Sequence, residues 1–367
     1  MPLQQEVDKA RAEIRTDGYP VSIGEWISLY EKTEIDIHPE FQRFFRWSLG
    51  QKSRLIESIL LGIPIPQVFV AQRPDGIWDV VDGLQRLSTI YQFVGILKDE
   101  EGELLKPLTL ESTKYLPSLD GKRWEDESHP DKSLTNAHRL LIKRAKIDVS
   151  IILKESDESA KYELFQRLNT GGSQLSDQEV RNSILVMLNR NMYRWLKKLS
   201  DREDFQECIA ISDRAIEEQF DMELALRFVL FRAANANSFG SLGDLGDFLT
   251  NGATELAKDK AFDYVGEEKA FADTFSMLSV TMSSDSFRKY DSRRTRFVGG
   301  FSVSAFEAVA LGLGYNIKTT KISGDAIMEK IQKLWNDPHF VNNSGSGIRA
   351  SSRIPKIVPL GRKLFAS

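Results

Sequence analysis

Strand-forming sequence is confined to one part of this chain. Runs rich in β-branched and alternating residues, bounded by turn formers, lie at 67–72, 77–81 and 147–153, and beyond about Arg181 they stop. Long apolar patterns at helical spacing replace them, over 181–199, 221–234, 302–313 and 325–335. A chain divided in this way predicts a strand-containing first domain and a mainly α-helical second one. The length of 367 residues, against the ~150 of a typical domain, agrees with two packed units, which we place at 1–183 and 184–367. No repeat of 20–50 residues signals a solenoid.

Composition narrows the function classes. Hydrophobic residues at 41% and charged residues at 28% match ordinary globular usage, which excludes a fibre or a disordered tail. The longest apolar runs, such as 59–65, are far shorter than the ~20 residues of a spanning helix. The polar stretch 1–9 has no signal-peptide core, so the expected compartment is the cytoplasm, with no membrane partner. The single cysteine, Cys208, rules out an internal disulfide and a zinc cage built on paired thiols. The four histidines, at 38, 129, 138 and 339, include no pair at metal-ligand helical spacing. With 49 basic and 53 acidic residues the net charge is −4, which argues against a surface coated by nucleic acid and leaves room for a local basic face.

Punctuation gives the order of elements. Ser22 and Glu25 form a capping box ahead of Trp26, Ile27, Leu29 and Tyr30, and Ser48 and Gln51 can cap a helix with Leu55, Ile56, Ile59 and Leu60 on one face. Gly62, Pro64 and Pro66 end that helix, and Arg73-Pro74-Asp75-Gly76 turns a β-hairpin. A helix with Leu87, Ile90, Tyr91, Val94 and Leu97 in register begins beyond Arg86. The stretch 98–133, broken by Pro117, Gly121 and Pro130, reads as an irregular insertion or flexible excursion. Residues 156–168 look helical, Asn169-Thr170-Gly171-Gly172 stops that helix, and Ser176 with Glu179 is a fresh capping box.

Three clusters can carry chemistry. The first, Asp82-Gly83-Leu84-Gln85-Arg86, joins a strand to a helix, so unpaired N–H groups and the positive end of the helix dipole converge there. Gly83 permits close approach, Arg86 offers a fork for phosphate oxygens, Gln85 can orient a water, and Asp82 can hold a metal ion such as Mg²⁺ or accept a proton. The competing reading makes Asp82 a helix cap, Gly83 a turn and Arg86 a solvated charge. The second cluster is Phe41-Gln42-Arg43-Phe44-Phe45-Arg46-Trp47, where Arg43 with Gln42 can meet the same phosphate while Phe41, Phe44 and Trp47 serve as core or as stacking platforms. In the third, Asn169, Gly171, Glu179 and Arg181 either shape a polar pocket or build a plain helical corner. Farther on, Arg293, Arg294 and Arg296, and Arg349 and Arg353 in an acid-free C-terminal stretch, suit a DNA backbone or a solvated face.

These segments together resemble the N-terminal domain of the GmrSD restriction endonucleases, of the ParB/sulfiredoxin-like superfamily. The resemblance rests on Phe41-Gln42-Arg43 with Trp47, on 55–66 with its Gly62-Ile63-Pro64-Ile65-Pro66 ending, on Val81-Asp82-Gly83-Leu84-Gln85-Arg86-Leu87, and on Phe165-Gln166-Arg167-Leu168-Asn169-Thr170-Gly171-Gly172. It implies an α+β nucleotide-binding domain with a small mixed sheet, used in bacterial defence against foreign or modified DNA. Its Asp-Gly-Gln-Gln-Arg signature has been tied to nucleotide hydrolysis, which assigns Asp82, Gln85 and Arg86 to catalysis and Gly83, Arg86, Arg43 and Gln42 to the phosphates. Leu84 replaces the first glutamine of the signature, which threatens hydrolysis more than binding. After residue 180 only His339 remains, so the His-Asn-His nuclease of complete enzymes of this type cannot be assembled here and cutting by that route needs a partner chain. Sulfiredoxin chemistry lacks its cysteine beside the turn.

The expectation is therefore a protein of a DNA restriction system that binds, and hydrolyses, a nucleoside triphosphate with Mg²⁺, and whose helical half meets DNA or a nuclease subunit, with oligomerisation open. Two rivals remain at this point: a non-enzymatic, nucleotide-gated DNA-binding module, and a direct DNA nickase.

Overall fold

The computed structural model describes residues 3–4, 15–37, 47–99, 101–156, 176–232, 234–235, 239–240, 242–319, 322–345 and 347–366. The chain divides into two compact units, 1–174 and 175–367. The division falls just ahead of the capping box at Ser176, and residue 183 lies in the helix that this box starts, before its kink at Asn189.

The first unit is built on a five-stranded mixed sheet. Its strands are β1 (Thr16–Ser22), β2 (Ile35–Asp36), β3 (Val68–Gln72), β4 (Trp78–Asp82) and β5 (Lys146–Ile152), in the spatial order β1-β5-β3-β4-β2. Strands β3 and β4 form the antiparallel hairpin that Pro74-Asp75-Gly76 predicts, with Val70 opposite Val80 and a bulge between Phe69 and Val70. β5 lies parallel to β3 and β1 antiparallel to β5, so the sheet is α+β in character, as the sequence led us to expect. β1 itself was not foreseen, because Gly18 and Pro20 interrupt its pattern.

Helices α1 (Ile23–Glu31), α2 (Leu49–Leu61), α3 (Leu84–Val94) and α4 (Asn136–Arg144) belong to this unit. The Ser22 hydroxyl accepts the Glu25 N–H at 3.1 Å, and Ser48 and Gln51 cap each other reciprocally. Trp26, Ile56, Val68, Val70, Leu87, Tyr91 and Phe93 make the core, against which Trp47 and Leu84 pack half-buried.

The segment 98–133 is irregular in backbone but not a loose excursion. Leu108, Leu110, Leu119 and Leu134 are buried in the same core. The Glu57 carboxylate on α2, itself 5% exposed, accepts the N–H groups of Tyr115 (2.9 Å) and Leu116 (3.0 Å). The Thr113 hydroxyl and those two N–H groups hold its carboxyl below the usual range. Breakers such as Pro117 and Gly121 forecast the lack of regular structure; the leucines between them decide the packing.

In the second unit, α5 (Asp177–Ser200), α6 (Glu203–Ile209), α7 (Asp213–Glu217), α8 (Phe220–Arg232), α9 (Leu245–Lys258), α10 (Tyr264–Met282), α11 (Val303–Asn316), α12 (Gly324–Leu334), α13 (Pro338–Val341) and α14 (Ala350–Leu364) fill the fold. Phe205, Phe228, Phe271, Phe275 and Phe306 cluster at its centre. α11 and α14 cross at Gly312 and Gly361, where a Cβ on Gly361 would fall 1.9 Å from the Ala308 carbonyl oxygen. The unit is mainly helical, as expected, with one short antiparallel hairpin of β6 (Lys289–Asp291) and β7 (Arg296–Val298).

Candidate functional site

Strand β4 ends at Asp82 and α3 starts at Leu84, so the whole change of direction falls on Gly83. Gly83 has φ +101°, a conformation L side chains rarely adopt, and a Cβ there would meet the Val68 side chain at 2.8 Å. Glycine is thus required twice over, by conformation and by packing. It also carries no side chain to cap the helix, so the N-cap position makes no side-chain cap hydrogen bond. The first-turn N–H groups and the positive end of the dipole are left to whatever the turn faces.

Asp82 does not act as the helix cap. Its Oδ2 accepts instead from Arg86 Nη2 at 2.6 Å, one helical turn on. The Arg86 guanidinium also donates from Nη1 to the carbonyls of Pro66 and, at 2.9 Å, Gln67, at the entry to β3. Three of the five guanidinium N–H donors are therefore engaged within the protein, and Arg86 is 9% exposed. The fork expected to stand open to phosphate ties the turn to the neighbouring strand and holds the Asp82 carboxylate in place. Sequence reasoning did not anticipate the Pro66 and Gln67 carbonyls, since acceptors on the backbone leave no residue signature. Asp82 keeps a side chain 37% exposed. Leu84, in the place of the signature glutamine, packs against the core rather than into the turn. Thr89 ties its hydroxyl to the Gln85 carbonyl at 2.7 Å.

A second ion-pair set braces the sheet beside the turn. Arg73, at the hairpin end, donates to Asp36 on β2 at 2.7 Å and to Asp79 on β4 at 2.8 Å, which pins the two-residue strand β2 to the strand that ends at Asp82. These carboxylates raise the Arg73 pKa against the opposing effect of burial.

The other candidates fall elsewhere. Gln42 and Arg43, and Asn169 and Gly171, lie outside the described residues. Glu179 is spent on capping: its Oε2 accepts the Ser176 N–H at 2.6 Å. Arg181 is 2% exposed, donates to Gln178 at 2.8 Å and pairs with Glu223, and burial lowers its pKa. Both side chains hold the second unit together by its own contacts. Arg353, expected to face DNA, instead grips the fully buried Glu307 through Nε (2.7 Å) and Nη2 (2.9 Å). Arg293, Arg294, Arg296 and Arg349 are exposed.

Among the described residues no three His, Cys, Asp or Glu side chains gather to hold a metal ion. A single carboxylate such as Asp82 beside phosphate oxygens is the donor set that Mg²⁺ commonly accepts. Among the same residues no helix is long and apolar enough to cross a membrane.

The family model of the GmrSD restriction endonuclease N-terminal domain matches residues 23–186, which take in strands β2 to β5, the Asp82–Arg86 turn and the capping box at Ser176. This segment belongs to that family. The matched residues include Asp82-Gly83-Leu84-Gln85-Arg86, with Leu84 where the signature implied by the resemblance has a glutamine. No curated protein and no solved structure matches the chain.

Proposed function

We propose that this chain binds a nucleoside triphosphate with Mg²⁺ at the Asp82–Arg86 turn and works in the cytoplasm in a DNA restriction system, with a separate nuclease subunit making the cut. The observation that carries the reading is the glycine-pivoted, uncapped start of α3 beside a carboxylate fixed by Arg86. The family match supports the restriction role.

In this mechanism the first-turn N–H groups of α3 donate to the oxygens of the phosphate tail, and the helix dipole favours its charge. Asp82 sits at the edge of that cradle, oriented by Arg86, as the carboxylate that faces the metal or the attacking water. Asp82 would be the residue to hold Mg²⁺, which would supply charge neutralisation at the phosphates. Gln85 orients the reacting group, and Arg43 with Gln42 adds positive charge and hydrogen bonds from the preceding cluster. Hydrolysis forms a bond between the water oxygen and the terminal phosphorus, breaks its bond to the bridging oxygen, and releases the water proton to solvent with the products.

Leu84 favours a second reading. Its apolar side chain packs on the core and offers no group to orient a water, which supports nucleotide binding without turnover as a gate for DNA binding. One experiment addresses both. Calorimetric titration of the four ribonucleoside triphosphates with Mg²⁺, beside phosphate-release assays, is expected to show binding that Asp82→Ala and Arg86→Ala each weaken at least about tenfold, near 1.4 kcal/mol. Binding without phosphate release selects the gate. Unchanged binding in both variants removes the site.

A further inference from the structure

Arginines in the second unit fall into two populations. Arg181, Arg227, Arg232 and Arg353 all meet buried or half-buried carboxylates. The β6–β7 hairpin and its flank carry Arg288, Lys289, Arg293, Arg294 and Arg296, of which Arg288 meets Asp285 at 3.3 Å and Arg294 meets Asp291 at 3.5 Å. Among the described residues no carboxylate pairs with Lys289, Arg293 or Arg296, and all three are exposed. In a chain of net charge −4 carboxylates are plentiful, so this local excess is not a product of composition.

The hairpin is also held by contacts of its own. Asp291 Oδ1 accepts the N–H groups of Arg293 (3.0 Å) and Arg294 (3.3 Å), which fixes the loop that carries the cations. Tyr290 and Phe297 face each other across the strands at 5.1 Å. Its base is closed by the Ser302 N–H on the Phe287 carbonyl at 3.0 Å, and buried Phe287 packs on Phe301 and Phe306. The loop leading to exposed Arg349 is tied to the same base, since the Ser304 hydroxyl at the start of α11 donates to the Ser344 carbonyl at 3.2 Å.

We infer that the β6–β7 hairpin is an arm that grips the phosphate backbone of duplex DNA, with Arg293, Arg294 and Arg296 at its tip and Arg349 beside its base. This deepens the proposed function and rests on its DNA part. The tip offers guanidinium groups, Ser292 and Thr295 but no free aromatic ring, because Tyr290 and Phe297 occupy each other. Such a surface suits phosphate contacts rather than stacking on unpaired bases. Anchoring in the aromatic core keeps the ordering cost of binding small.

The test is fluorescence anisotropy of the full chain with a short labelled duplex over a series of salt concentrations. Relative to the native chain, the combined Arg293→Gln, Arg294→Gln and Arg296→Gln variant is expected to lower the slope of log K against log salt by about two to three, with affinity falling on the order of 10²-fold near physiological salt, equally for unrelated sequences. Arg349→Gln lowers the slope by about one. Thermal melting and nucleotide binding at the Asp82 turn stay as in the native chain. Native binding that survives the triple substitution with its slope intact overturns the arm and leaves the DNA reading standing. A native chain that ignores duplex DNA, or binds only single-stranded RNA, overturns both.

Discussion

Arg227 and Arg296 are the same residue type in the same unit, doing opposite work. The Arg227 side chain is 8% exposed and lies between Glu223 and Glu307, reaching Glu307 at 3.1 Å. With Arg181 on Glu223 and Arg353 on Glu307, it forms a buried ladder of alternating charge that crosses α5, α8, α11 and α14. Each guanidinium has given up water for carboxylates fixed by packing, a state stable only while every partner is present. Arg296 stays exposed opposite Asp291 in the strand pairing, and the Asp291 carboxylate meets Arg294 at 3.5 Å. The difference is set by which acids fold alongside, not by how many cations crowd the sequence. Arg353 shows the point: its neighbourhood in sequence has no acid at all, and its neighbourhood in space has Glu307.

The contrast is broken most severely at the ladder. Glu307→Ala leaves Arg227 and Arg353 buried without their carboxylate and is expected to cost about 3–5 kcal/mol in urea denaturation. Replacing Glu307, Arg227 and Arg353 together by leucine or methionine recovers much of that loss if the ladder serves the fold alone. A single variant as stable as the native chain would show the ladder to be ornamental.

Gly83→Ala comes next. Both the positive φ and the 2.8 Å approach to Val68 oppose it, for about 1–3 kcal/mol, together with loss of triphosphate binding. The Val68→Ala background, which makes room without relaxing the backbone, is expected to return only part of the stability. Full rescue there assigns the cost to crowding alone.

Asp221, on α8 beside the ladder, sharpens the comparison through pH. It is buried, with Gln206 donating to its Oδ2 at 3.0 Å, and burial raises its pKa. The folded chain thus holds this proton more tightly than the unfolded chain does. The ionised carboxylate costs stability above the folded pKa, and that cost is relieved as pH falls through it. Asp221→Asn is expected to raise the urea midpoint at pH 7, with a gain that narrows steadily in acid. A gain independent of pH would assign the effect to packing.

The smallest effect belongs to the surface set. Arg293→Gln and Arg296→Gln should each stay within about 0.5 kcal/mol of the native stability. A loss comparable to that at Glu307 would mean that the hairpin cations, too, are structural.

The capping boxes at Ser48 and Ser176 and the turn at Pro74-Asp75-Gly76 placed their elements because each is a local interaction that a few adjacent residues complete. The turn at Gly83 was legible for the same reason. What lay beyond sequence was long-range: β1, whose partner is 124 or more residues away; α4, for which no helix was assigned; and three-residue strands too short for alternation to show. At the site itself, Asp82 and Gly83 were readable, whereas the destination of the Arg86 guanidinium depended on two carbonyls about twenty residues upstream.

The sheet order has a consequence for biosynthesis. β1 pairs only with β5, with Ser22 opposite Lys146. At about 5–20 residues per second, a ribosome that has made the first strand needs roughly 6 to 25 seconds to reach the other. During that interval the nascent strand stands with bare edges, open to chaperones and to stray pairing. Slowing translation between these two strands should therefore lower the yield of native protein before it alters anything measurable in the finished molecule.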